Sequence, residues 1–316
     1  MRHSFFRGSL PAKLLAFLAG VAVGAAAIFL IRRPPAEPTL GSLYYSADFH
    51  ALSMAPLLTR SPAQPVSADR LRDSLPGRLA LPRLGPVEVR SFTDVPERFR
   101  TNGDAAPDVL HRAWTLQTNL GAFGAFLLAP EGSSRAERVC VFLHGHDGFR
   151  VVWTRFRDTL LRARDAGVPV LILATTDLGT TTGDIVAAHR LLLLDLNLMG
   201  GKVAIVRAFL DQVARAFPGA AVEVVGHSGD SMTAYYASVL DPRVDGLAVD
   251  YLSDPETLIS GPMHCESVPG LPEFLTPDGH LRLDATRAAR THVQDYGYPD
   301  RAALIGWIAA KDARPR

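Results

Sequence analysis

A serine held between small residues is the arrangement in this chain with the most chemistry to offer. Gly226-His227-Ser228-Gly229-Asp230 follows the apolar run Ala221-Val222-Glu223-Val224-Val225 and precedes a helix-forming stretch over 231–240. Strand, Gly-x-Ser-x-small and helix, in that order, is the context that presents a serine hydroxyl as a nucleophile at a sharp corner. Small flanking residues let the backbone approach closely. The following helix directs its first N–H groups and its dipole toward negative charge developing nearby. The last position is Asp230 where the usual pattern has glycine. An aspartate suits a first helical turn, but it is expected to bring an unhelpful negative charge close to a developing oxyanion. Without chemistry, the same residues would be an ordinary helix-capping turn.

Acyl transfer needs two N–H donors for the oxyanion. One comes from the residue after the nucleophile, Gly229 here. The other comes from the loop after an earlier strand, and His144-Gly145-His146-Asp147-Gly148 is placed to supply it. That loop follows the apolar run Arg138-Val139-Cys140-Val141-Phe142-Leu143. His-x-His-Asp could also ligate a metal, but no third ligand cluster stands at a recognisable spacing, so no metal site is assigned. The chemistry calls for no cofactor.

The elements around these residues alternate. Strands are expected over 86–92, in a hairpin-prone region over 111–129 with Gly121 and Gly124, and over 138–143, 168–174, 221–225 and 244–252. Helices are expected over 153–166, 202–217 and 231–240. Strands alternating with helices predict an α/β fold, a mostly parallel sheet with helices on both faces. Ser228 and His144 both fall at carboxyl ends of strands, where such sheets place their sites. Thr180-Thr181-Thr182-Gly183-Asp184 reads as a polar rim loop.

With 316 residues, 47% of them hydrophobic, the chain has material for one large domain and an appendage. A net charge of +1 gives no argument for nucleic acid as a partner. Two cysteines are too few for a disulfide framework; Cys140 is expected to be a buried free thiol. Residues 14–31 form an uncharged apolar run flanked by Arg2, Arg7 and Lys13 before it and Arg32 and Arg33 after it. Its length suits one transmembrane helix rather than a cleaved leader, because four large apolar residues follow its alanine triplet. The expected organisation is a membrane anchor over 1–33, a linker or small cap over 34–84, and the catalytic domain over 85–316. The flanking charges favour the domain on the periplasmic or extracellular side of a single-pass protein.

The pieces together resemble the α/β-hydrolase superfamily, and within it acetyl-xylan-esterase-like and dienelactone-hydrolase-like proteins. The resemblance rests on the strand leading into His144-Gly145-His146-Asp147-Gly148, the turn at Ser228, Leu240-Asp241-Pro242-Arg243-Val244, His264-Cys265-Glu266-Ser267-Val268-Pro269-Gly270-Leu271, and the closing helix over 300–308. It covers residues 85 to 316 and implies a serine hydrolase of carboxylic esters with its triad in the order Ser, acid, His. The substrate class is then a small-molecule, carbohydrate or lipid ester. The family histidine stands shortly before the closing helix, which implies His292 as the base, with His264 and His280 as alternatives. Asp254, after the strand over 244–252, is the implied acid; Asp284 and Asp295 are its rivals. The chain departs from the family after residue 252, where no strong strand run is visible among the roughly sixty remaining residues. That departure leaves open a second reading, a catalytically inactive scaffold of the same fold at the membrane.

Overall fold

A computed structural model describes residues 66–85, 87–92, 112–130, 136–145, 148–175, 197–249, 271–274, 276, 281–293 and 301–310. All lie in one compact unit spanning Arg60–Arg316. The strands are β1 (Glu88–Phe92), β2 (Arg112–Thr118), β3 (Gly121–Leu128), β4 (Arg138–Leu143), β5 (Val170–Leu173), β6 (Ala221–Gly226), β7 (Val244–Val249) and β8 (Arg290–Val293). The helices are α1 (Ala68–Arg78), α2 (Gly148–Asp165), α3 (Leu198–Ala216), α4 (Asp230–Leu240) and α5 (Arg301–Ala309).

The strands form one sheet in the order β1-β2-β3-β5-β4-β6-β7-β8. β1, β2, β3 and β5 pair antiparallel, and β5, β4, β6, β7 and β8 pair parallel. Alternation along the central strands divides the core in two. Val139, Val141 and Leu143 of β4, with Val222 and Val224 of β6, pack in one cluster with residues of α1, α3 and α4. Cys140, Phe142 and Val225 pack in the other with Val152, Phe156 and Leu160 of α2 and Leu304 and Ile308 of α5. Successive strand side chains point to opposite faces, so an all-apolar strand needs helices on both. Each fully buried Val, Leu or Phe contributes roughly 1.5–3 kcal/mol. Cys140 is buried and free, and burial raises its thiol well above the ordinary range.

Two differences from the sequence reading concern the ends of the unit. First, part of the 34–84 stretch is an ordered helix. Ser67 caps α1 by accepting from the Arg70 amide at 3.3 Å, and Leu71, Leu75 and Leu79 are completely buried in the main core. Pro76 and Gly77 inside α1 hide it from pattern reading. Second, a further strand, β8, does exist after β7. It is four residues long, with half-buried and exposed positions alternating, so no apolar run announces it. The anchor expected over 14–31 lies outside the described residues. Among the described residues, no helix is long and apolar enough to cross a membrane.

Candidate active site

His227, Ser228 and Gly229 join β6 to α4, and the serine takes the strained position. Ser228 has φ +52°, a left-handed conformation that a residue with a side chain seldom adopts. The turn is tight enough to require glycine before it. A Cβ on Gly226 would come within 2.5 Å of the Asp230 carbonyl oxygen and 2.7 Å of the Ser231 Cα. The Ser231 hydroxyl donates back to the Gly226 carbonyl at 3.1 Å, and the His227 amide donates to Leu143 at 3.0 Å, tying the corner to the end of β4. His227, Gly229 and Asp230 are buried, while Ser228 is half-exposed. The corner therefore presents one side chain, the serine. The His227 ring turns the other way and packs edge-on against Phe156 of α2 at 4.8 Å.

The loop after β4 lies directly against this corner. Gly145 has φ +68°, and a Cβ there would stand 2.4 Å from the His227 carbonyl oxygen and 3.0 Å from the Ser228 Cβ. His144 is buried, with Nδ1 2.8 Å from the Gly145 carbonyl oxygen. The amide expected to face the oxyanion has another engagement: the Gly145 N–H donates to Asp230 Oδ2 at 3.0 Å. Gly229 stands at the N-cap of α4, where leading N–H groups lack intrahelical partners. His146 lies outside the described residues.

Asp230 overturns the expectation of a bare negative charge. It is completely buried, and its carboxylate accepts from Thr175 at 2.9 and 3.0 Å, from Thr233 at 2.8 Å and from Lys202 Nζ at 3.3 Å, besides the Gly145 amide. Lys202 is itself 1% exposed. Burial alone would raise the Asp230 carboxyl. The charge of Lys202, the nearby His144 and the two threonine hydroxyls outweigh it and hold the group below its ordinary 3.8. Lys202, Thr175 and Thr233 were not singled out in the sequence. The one available signal was a lysine in an otherwise apolar helix start, Leu198-Met199-Gly200-Gly201-Lys202-Val203.

The structure places the implied base in an unexpected setting. His292 sits in β8 opposite Ala248, which is opposite Val225 of β6. That is two strands across from the elbow and three residues short of it, roughly 10 Å along each direction at ordinary strand spacing and rise. Its ring stacks on Trp307 of α5 at 6.1 Å. Strand register thus does not bring His292 to Ser228, whereas a base must come within hydrogen-bonding reach. Asp284 sits in a short turn ahead of β8, pairs with Arg282 and is 58% exposed. Asp254, His264, His280, Asp295 and the 180–184 loop lie outside the described residues. Among the described residues, no group of acidic, His and Cys side chains could hold a metal.

No family model matches the chain, and no curated protein matches it in sequence. Solved structures do. A protein assigned as an acetyl xylan esterase from Bacteroides fragilis is similar at 13% identity over 84% of this chain and 79% of that one, with a TM-score of 0.53. An acetyl xylan esterase from Paenibacillus sp. R4 aligns at 14% identity over 82% and 99%, with a TM-score of 0.44. Est1E from Butyrivibrio proteoclasticus aligns at 15% identity over 40% and 45%, with a TM-score of 0.31, so the chain spans less than half the length of that protein. The first of these bears on the fold alone, and it agrees with the strand–elbow–helix geometry: this chain has an α/β-hydrolase-like fold, similar to that of the Bacteroides fragilis protein.

Proposed function

We propose that this protein is a serine hydrolase of carboxylic esters, with Ser228 as nucleophile. The observation that carries the reading is the left-handed, half-exposed serine between buried neighbours at the β6–α4 corner. Strain of this kind concentrates where a side chain must be presented to a substrate. Ser228 Oγ attacks the ester carbonyl, a histidine takes the hydroxyl proton and returns it to the leaving alcohol, and water then releases the acid. Gly229 N–H is one oxyanion donor, and the loop of His144, Gly145 and His146 supplies the other through an amide beyond Gly145, whose own N–H is held by Asp230. Asp254 orients the base. The strand setting of His292 makes it the weaker candidate for that base, so His264 is to be tested beside it.

The likeness to a protein assigned as an acetyl xylan esterase makes acetyl esters of sugars the first substrates to try, before small aryl and lipid esters. The apolar run over 14–31 supports attachment of the protein to a bilayer, with the hydrolase unit on the periplasmic or extracellular side. Carbonate extraction of membranes from expressing cells tests the attachment: retention in the pellet is expected, and release into the wash would contradict it. Hydrolysis of p-nitrophenyl acetate and of acetylated xylan by full-length protein in detergent tests the activity. Ser228→Ala should abolish both, and of His292→Ala and His264→Ala, measured side by side, the one that removes the base should lower the rate far more than the other. If folded wild-type protein hydrolyses no ester, the placement of His292 away from the elbow points instead to a non-catalytic scaffold.

A further inference from the structure

Asp230 stands where the usual elbow has glycine, and its carboxylate joins four separate stretches of chain. Gly145 belongs to the loop after β4, Thr175 follows β5, Lys202 lies in α3, and Thr233 lies in α4. Oδ2 takes the Gly145 amide and the Thr175 hydroxyl; Oδ1 takes Thr233, Lys202 and the second Thr175 contact. The Gly145 contact is the informative one. Lys202 and Thr233 could be satisfied by a bond between two helices, but the Gly145 amide belongs to a residue so close to the turn that a Cβ on it would stand 3.0 Å from the Ser228 Cβ.

We propose that the Asp230–Lys202 pair positions the start of the loop after β4 for the reaction: Asp230 pins the Gly145 amide and so holds Gly145 against the turn that carries Ser228. The inference rests on the serine-hydrolase reading. A loop at a glycine with φ +68° has other conformations open to it, and a glycine at position 230 would leave it untethered. A lone carboxylate would repel the oxyanion. Lys202, 3.3 Å away and equally buried, makes the unit a neutral pair whose field largely cancels at the neighbouring site. Asp230 and Lys202 are therefore positioning residues: they touch no reacting atom and act through the loop.

The test separates alignment of the loop from simple stapling of α3 to α4. Two double variants remove both charges, so neither leaves a buried ion unpaired. In Asp230→Gly/Lys202→Met nothing accepts from the Gly145 amide. In Asp230→Asn/Lys202→Met the amide oxygen of the new side chain can. Full-length protein in detergent is reacted with a fluorophosphonate, and circular dichroism reports folding and Tm. Wild type is expected to label. The glycine double variant should label ~100-fold more slowly, the size of effect that a small misplacement of reacting groups produces. The asparagine double variant should recover to within about 5-fold of wild type, because the tether is restored. With p-nitrophenyl acetate the loss should fall on kcat, with KM changed less than about 2-fold. Equal labelling rates in both double variants, whether at the wild-type rate or equally slowed, would overturn the proposal, since the amide contact would then not matter. Thr175→Val removes a donor to the same carboxylate without changing charge. It should slow labelling about 5-fold, and an unchanged rate would overturn the proposal even if the glycine variant does not fold. Failure of folded wild type to label would instead sink the serine-hydrolase reading, and this inference with it.

Discussion

Two buried carboxylates lie within β6 and just beyond its carboxyl end, and their surroundings push them in opposite directions. Asp230, at the carboxyl end, takes an amide, two hydroxyls and an ammonium on its two oxygens, and is held below its ordinary range despite complete burial. Glu223, within the strand, takes Arg138 and Arg290 on Oε1 alone. Oε2 has no hydrogen-bond partner among the described residues. There burial prevails over the two arginines, and the carboxyl is raised above 4.5. The arginines also reach onward: Arg290 donates to the Trp307 carbonyl at 2.8 Å and lies over its ring at 4.8 Å, and Arg138 donates to the Ala310 carbonyl at 2.5 Å. The Glu223 cluster thus fastens α5 to the sheet. The Asp230 cluster gathers loops around a serine. Similar charge counts serve different ends because the donors at Asp230 come from the segments that must be aligned, whereas those at Glu223 come from segments that must be held.

Removing the serine hydroxyl has the largest expected effect. Ser228→Ala should lower ester hydrolysis by about 10⁴–10⁶-fold with no loss of Tm, measured as kcat on p-nitrophenyl acetate; a residual rate within 10-fold of wild type would detach the elbow from the chemistry. Next comes breaking one partner of the elbow pair. Lys202→Met strands a fully buried aspartate and should cost about 3–5 kcal/mol in urea unfolding. Glu223→Gln should cost less, about 1–2 kcal/mol, because one oxygen is already unsatisfied, and should leave kcat within about 2-fold. Comparable losses in both would dissolve the distinction between the two carboxylates.

Acid and base titrations of stability sharpen the same contrast. The Asp230 carboxyl is depressed in the folded state, so its contribution is present above pH 3.8 and disappears as pH falls through the folded value. The Glu223 carboxyl is raised, so its contribution is present below pH 4.5 and is lost as pH rises through the folded value. Tm measured from pH 3 to 7 should therefore fall less steeply toward acid in Asp230→Asn/Lys202→Met than in wild type. In Glu223→Gln the decline between pH 4.5 and 7 should flatten. Parallel curves for all three proteins would contradict both assignments.

What could be read from the sequence was the scaffold under the site. The β-branched runs of β4 and β6, the glycines of the β2–β3 hairpin and the Gly-His-Ser-Gly corner each announce their structure within ten residues. What could not be read depends on distance along the chain. Lys202 and Asp230 are 28 residues apart, and Gly145 and Asp230 are 85 apart. Nothing local marks them as partners, so Asp230 looked like a liability until its donors were in place. β8 escaped for another reason: Arg-Thr-His-Val at a sheet edge has the strand alternation but not the apolar content that reveals a buried strand. The sequence reading placed His292 shortly before the closing helix; the structure puts it in β8, stacked on Trp307.

Intact-protein mass spectrometry after fluorophosphonate treatment shows whether Ser228 is an activated nucleophile. A single phosphonyl adduct is expected on the full-length protein, mapped by peptide digestion to Ser228 and absent from Ser228→Ala. Folded wild-type protein that gains no mass, or that carries the adduct on another residue, would contradict that role for Ser228.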